Sequence, residues 1–305
     1  ILIFAALMVI ISAVAPMSNH EPKTTDTYSD FSTGWLNCEE SEASLNHLSG
    51  TTVIHRTITA ADCNKTLFFF AKTSNIKVFI DGVCQYRNNH FCSQFFGKTP
   101  GALFVNVLIP AKSDGKLLEI EIENPYKDDD SAKLDEMYIG DISDIIQFQQ
   151  QKRFNSFCIS FIIMVLGVVM LLLFIPLTRQ KIVGIEFLNL GVTAFVSGLY
   201  LTTDGRYLQL VFGDAHIYHV IAETTLRLSI LPFLIFLSQM YESYSKRISA
   251  ILCVIGEIAF AGCFIGEITE IMDYHETLFL VHVVFAISML FILVSTIKGI
   301  VKAPK

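Results

Sequence analysis

Glu223 and Arg227 lie four residues apart inside one long apolar run, and Glu257 sits near the middle of another. At membrane depth an ionised side chain costs on the order of 2.5–3.5 kcal/mol, so each needs a partner or a task. A spacing of four places Glu223 and Arg227 on one helical face, where they can pair. Together with Glu257 they form a candidate intramembrane polar cluster that changes protonation or pairing between two states. The alternative is a static interhelical hydrogen-bond network. Glu186 and Glu267 fall near the ends of apolar runs and can reach water, and Pro232, five residues beyond Arg227, is expected to kink the helix for packing.

The polar half of the chain offers a different chemistry. Tyr86-Arg87-Asn88-Asn89 is dense in aromatic and hydrogen-bonding groups, as a site for a polyol or sugar requires; a solvated loop tied down by Cys84 and Cys92 is the alternative. Trp35, the single tryptophan, would suit a sugar-stacking platform, although packing into a core is the ordinary role of such a residue. Cys38, Cys63, Cys84 and Cys92 could form two disulfides in an oxidising compartment, with three connectivities open; free buried thiols are the alternative. No Cys-x-x-Cys spacing exists, and His55 and His90 stand at no ligand interval, so no metal centre is expected. Asp128, Asp129 and Asp130 with Asn124 lack the spacing of a calcium loop and read as a solvated acidic turn. No phosphate-binding loop, nucleophile elbow or His-Glu-x-x-His sequence is present, and no cofactor is implied.

These residues sit in a chain of 305 residues that divides sharply by composition. Mean hydropathy is +0.51, too high for an ordinary soluble protein, yet residues 16–156 hold 13 Lys and Arg against 19 Asp and Glu. A net charge of −7 lacks the basic footprint of a nucleic-acid partner. Beyond residue 156 five runs are long enough to cross about 30 Å of hydrocarbon as helix: 157–178, 182–201, 220–240, 248–268 and 277–297. The connections and tail carrying Arg179, Lys181, Lys246, Arg247, Lys298, Lys302 and Lys305 are basic, and the alternate connections carry mostly acids. The basic side faces the cytoplasm. The lipid bilayer is thus the first expected partner, in a multi-pass cell-membrane protein with its polar half outside and tail 298–305 inside. Lys152 and Arg153, just outside the first span, run against the charge rule.

Residues 1–15 read as a signal peptide or signal-anchor helix. The chain starts with Ile1 and stops at Lys305 just after a cytoplasmic exit, and is expected to be part of a longer protein.

Residues 29–141 change to short apolar stretches with turn chemistry between them, the pattern of a β-sandwich. Leu118-Glu119-Ile120-Glu121-Ile122-Glu123 alternates strictly, which predicts a half-buried strand. Thr66-Leu67-Phe68-Phe69-Phe70-Ala71 predicts a strand covered on both faces. Asp81-Gly82 between apolar stretches predicts a type I′ hairpin, and Asp114-Gly115 a looser hairpin joining 103–109 to 117–123. In 142–156, Ile142, Ile145, Ile146 and Gln149 fall at i, i+3, i+4 and i+7 and extend the first span outward as a helical connector.

Several stretches resemble one family. Asp30-Phe31-Ser32-Thr33-Gly34-Trp35, Asn75-Ile76-Lys77-Val78-Phe79-Ile80-Asp81-Gly82 and Met137-Tyr138-Ile139-Gly140 resemble the opening, central hairpin and exit strand of the extracellular jelly-roll domain of bacterial seven-transmembrane receptors with diverse intracellular signalling modules. Gly198-Leu199-Tyr200-Leu201-Thr202-Thr203-Asp204-Gly205, Leu208-Gln209-Leu210-Val211-Phe212-Gly213-Asp214 and Leu228-Ser229-Ile230-Leu231-Pro232-Phe233 resemble that family's second span, outer loop and third span. The resemblance implies a multidomain membrane protein, an all-β jelly-roll sandwich followed by an all-α bundle, that binds an extracellular small molecule or glycan and controls a cytoplasmic output domain. That output would be a diguanylate cyclase or histidine kinase lying beyond this segment, which itself is no enzyme, and a homodimer is the expected assembly. Only five spans follow the sandwich, two fewer than the family pattern. The competing functions are a transporter or intramembrane enzyme using Glu257 and Arg227, and a membrane-anchored carbohydrate-binding module.

Overall fold

The computed structural model describes the backbone of residues 27–88, 101–126, 131–240 and 246–302. Among these, the polar half forms two antiparallel sheets. The first orders β1 (Tyr28–Asp30), β9 (Lys133–Gly140), β4 (Thr66–Lys72) and β7 (Ala102–Leu108). The second orders β2 (Leu36–Asn37), β3 (Thr51–Thr57), β8 (Leu117–Glu123), β5 (Asn75–Ile80) and β6 (Val83–Arg87).

Alternation decides what each strand buries. Leu118, Ile120 and Ile122 of β8 are fully buried, while Glu119, Glu121 and Glu123 face out, Glu121 meeting Lys77 of β5 at 2.6 Å. They join Ile54, Ile76, Val78, Leu67, Phe69, Val105 and Ile139 in one apolar core drawn from both sheets. Each such side chain contributes roughly 1.5–3 kcal/mol on burial. The Asp81-Gly82 turn has positive φ at both residues, 53° and 75°, and joins β5 to β6 as expected.

The Asp114-Gly115 expectation is corrected. The flanking strands lie in different sheets, β7 paired with β4 and β8 with β3 and β5. Gly115 does turn at φ 74°, but its N–H bonds to Ile58 O, and the chain passes from one sheet to the other. Turn residues specify a local bend; which strand receives the chain afterwards is set by core packing.

β4 is covered on both faces, as its composition requires. Leu67, Phe69 and Ala71 enter the shared core, while Phe68 and Phe70 are equally buried on the opposite face of their sheet. That face is covered by the first turns of helix α1 (Ile142–Arg179) and by the segment Arg206–His219, which contains the short helix α3 (Tyr207–Phe212). Ile145 and Gln149 are buried, Phe148 packs on Tyr28 and Tyr138 at centroid distances of 5.6 and 5.8 Å, and Arg206 lies 3.9 Å from the Phe70 ring centroid. The strand unit thus extends beyond the expected limits 29–141, taking in 142–156 and 206–219.

The second unit comprises residues 157–205 and the chain from Val220 onward. It holds the remainder of α1, α2 (Ile185–Asp204), most of α4 (Ala215–Met240), α5 (Lys246–Ile268) and α6 (Leu278–Lys302). Helix α1 runs unbroken through both connector and first span, 38 residues or about 57 Å. Among the described residues, three helical stretches are long and apolar enough to cross a membrane, Ile142–Arg179, Ile185–Asp204 and Ala250–Ile268; Leu278–Phe291 is a shorter apolar stretch. Leu172, Ile258 and Phe279 are outward-facing, an arrangement suited to lipid. Helices α1 and α2 approach through glycines. A Cβ on Gly167 would lie 2.3 Å from Phe195 N, and one on Gly198 2.4 Å from Met164 N.

Candidate functional site

A cavity of about 310 Å³ opens in the strand unit, on the outer face of the first sheet. Strands β4 and β7 supply Phe68, Leu103, Phe104 and Asn106; Tyr86 is the penultimate residue of β6 and Asn88 directly follows that strand; Ile146 comes from α1, and Gln209, Leu210, Gly213, Asp214 and Ala215 from the 206–219 segment. The volume falls in the range of small-molecule pockets, and apolar and polar groups are mixed as such pockets require.

Three features hold it in shape. Phe68 and Phe104 stack at 5.4 Å with 23° between their planes. Gln209, with its carboxamide oriented to satisfy both ends, donates to Ala102 O at 3.3 Å and accepts from Phe104 N at 3.0 Å, so one side chain pairs with the open edge of β7. Asp214, at φ 53°, caps α4 by accepting from Ile217 N at 3.4 Å.

Asn88 carries the main polar signal. Its backbone N–H and side-chain Oδ1 hold both sides of Ile76, at 3.2 and 2.8 Å, while its buried Nδ2 has no hydrogen-bond partner among the described residues. A buried donor left unpaired costs about 1–3 kcal/mol. Burial pushes the Tyr86 hydroxyl above its ordinary pKa, so it remains a donor at neutral pH.

Of the residues expected in a ligand site, Tyr86 and Asn88 line this cavity; Arg87 is exposed outside it, and Asn89 lies outside the described residues. Trp35 is corrected. It is 1% exposed, packs edge-on against Phe31 at 5.8 Å and donates from Nε1 to Phe31 O at 2.8 Å. Both indole faces are spent in the core. Asn106, Gln209 and Asp214 were missed because nothing in their local sequence distinguishes them; only the pairing of β4 with β7 and the fold-back of 206–219 bring them together.

The two expected disulfides are likewise corrected. Cys38, Cys63 and Cys84 are free thiols, while Cys92 lies outside the described residues. Two bonds among four cysteines would need at least one between those three. Their sulfurs instead donate to Val53 O, Thr59 O and Tyr86 O. Asp128, Asp129 and Asp130 lie outside the described residues, and Asn124 is committed to Leu48 O and Tyr126 N.

In the helical unit Glu223 and Arg227 do pair, Nη1 to Oε2 at 2.6 Å. Arg227 is 2% exposed; its Nη2 donates to Tyr274 O at 2.5 Å and to Thr277 Oγ1 at 3.3 Å, and its guanidinium stacks 4.2 Å from the Tyr274 ring centroid. The Tyr274 hydroxyl and Thr224 Oγ1 lie 3.3 Å apart. Glu257 does not join them. It points to the exposed side of α5, so the expected three-residue cluster becomes a Glu223–Arg227 pair completed by the α5–α6 connection.

Lys152 and Arg153, the two exceptions to the charge rule, are both engaged. Glu136 meets Lys152 at 2.8 Å and Arg153 at 2.5 Å, and the Arg153 guanidinium lies 5.0 Å from the Phe104 ring centroid. No protein-family model matches the chain, and neither a curated protein nor a solved structure is similar to it.

Proposed function

We propose that this chain is the sensory input and membrane region of a receptor, in which the strand unit binds a small extracellular molecule, a glycan among the candidates, and the helices carry the change to a cytoplasmic output domain. The observation that carries this reading is the make-up of the cavity. Strand residues Phe68 and Asn106, and Asn88 just after β6, share it with Ile146 at the start of α1 and with Gln209 and Asp214 in the connection between α2 and α4. A ligand there contacts the sheet and the roots of membrane helices at once. It shifts a two-state equilibrium by whatever difference in affinity it has for the two arrangements.

The strand order supports a jelly roll in the strand unit. With the two-residue β2 set aside and the rest renumbered, the sheets run 1-8-3-6 and 2-7-4-5, the interleaving of a double Greek key. The family resemblance and the charge asymmetry support the outward placement of this unit and a regulated output such as a diguanylate cyclase or histidine kinase. Nothing favours the transporter or intramembrane-enzyme reading, which needs Glu257 beside Arg227.

The test uses the full chain in lipid nanodiscs, because a fragment ending at residue 141 would lose half the cavity wall. Thermal-shift and calorimetric screening against sugars, polyols, amines and amino acids should find a class that stabilises the parent and loses its effect in Asn88→Ala and Tyr86→Ala. If no class does so, the sensor reading fails.

A further inference from the structure

We infer that the cavity accepts a small organic cation, an ammonium compound carrying a hydroxyl or carbonyl oxygen. The inference rests on reading the cavity as a ligand site and assigns it a chemical class.

Among the described residues the lining contains one carboxylate, Asp214, and no Lys, Arg or His. One carboxylate oxygen caps α4, over a long 3.4 Å contact to Ile217 N, and the carboxylate stands at the exposed mouth of the cavity. An anionic ligand would meet this charge with no cation among the described lining residues to offset it.

The rings of the same sheet face already hold cations. Phe70 carries the Arg206 guanidinium at 3.9 Å and Phe104 that of Arg153 at 5.0 Å. Arg153 is balanced by Glu136 at 2.5 Å, so it does not cancel the field of Asp214. Phe68, stacked on Phe104, turns to the cavity and extends the aromatic row toward the ligand. A carboxylate beside aromatic surface is the combination that attracts ammonium groups.

The remaining polar groups ask for an oxygen. Gln209 is committed at both ends to β7 and Asn88 Oδ1 to Ile76 N, which leaves Asn88 Nδ2 as a buried donor without an acceptor among the described residues. A hydroxyl or carbonyl oxygen on the ligand satisfies it. Ammonium at the mouth and oxygen further in gives the ligand a direction.

The experiment is isothermal titration of the full chain in nanodiscs with two matched pairs, choline against 3,3-dimethylbutan-1-ol and ethanolamine against ethane-1,2-diol, with glucose as a neutral sugar. Each cation should bind at least about tenfold tighter than its uncharged isostere. Asp214→Asn, which keeps a good helix cap, should remove most of that preference while leaving the isosteres unchanged. Asn88→Ala should weaken both members of each pair. Equal binding of cation and isostere, or an Asp214→Asn variant that keeps the preference, overturns the inference. If glucose or a neutral isostere binds with sensitivity to Asn88→Ala while the cations do not, the ammonium assignment falls and the sensor reading stands. If none of the five compounds binds, the assignment also falls, and the wider screen alone decides the sensor reading.

Discussion

The Glu136 carboxylate meets the Arg153 guanidinium at 2.5 Å, joining the last strand of the first sheet to the helix that follows it. A bulge creates the contact. Opposite Phe68 and Phe70, β9 carries one residue too many, and Glu136 takes φ 51°, uncommon for anything but glycine. The strand thereby redirects one side chain toward α1, where Lys152 and Arg153 wait on adjacent positions.

Glu136→Gln should therefore loosen the first turns of α1 from the sheet. Charge-assisted bonds of this kind contribute about 1.5–3 kcal/mol. Hydrogen exchange across 142–156 should rise, with the sheets protected as before; unchanged exchange would show that aromatic packing of Phe148 alone holds the helix.

The same contact sets a pH dependence. Burial would raise the Glu136 carboxyl, but the hydrogen bond from Lys152 and the charge of Arg153 outweigh it and hold the group below the ordinary 4.5. A depressed folded-state value means stabilisation that is complete above pH 4.5 and lost as pH falls through the lowered value. Acid titration of the parent should release the helix start in that window, and Glu136→Gln should abolish the step. A step that persists in the variant assigns it to other carboxylates.

Glu223→Ala should cost about 3 kcal/mol, because it leaves the buried Arg227 guanidinium without its counter-charge. Glu257→Gln should not destabilise the chain, because it removes an ionisable group from the exposed face of an apolar helix, where a charge is costly. Thermal unfolding in nanodiscs compares them. Equal losses would restore Glu257 to the cluster.

Gly198→Ala should lower thermal stability and Gly262→Ala should not. A Cβ at 198 would stand 2.4 Å from the backbone of α1, whereas at 262 nothing lies within 4 Å. Membrane helices gain from such close approach because packing, rather than water exclusion, drives their association.

Cys38 and Cys84 are exposed and free, so both should react with maleimide without prior reduction, while buried Cys263 should react only after unfolding. Mass spectrometry of labelled peptides reads this directly. Protection of Cys38 or Cys84 that reductant relieves would bring a disulfide back.

Much of the architecture was legible in the residues. Alternation in 118–123, the unbroken apolar run of 66–71 and Asp81-Gly82 each fix a local geometry, because burial and positive φ act on neighbouring residues alone. Likewise the i, i+4 spacing sufficed for the Glu223–Arg227 pair, and the period of Ile142, Ile145 and Gln149 for the outward extension of α1. Tertiary structure decided what depends on partners distant in sequence. It sent the chain after Asp114-Gly115 into the other sheet, buried Trp35, turned Glu257 away from Arg227 and folded 206–219 onto Phe68, Phe70 and Phe104. Asn88 was visible as a polar loop residue; that it lines a cavity shared with Asp214, with its buried Nδ2 lacking a partner among the described residues, follows only from packing, which pairs surfaces over long separations that no local pattern encodes.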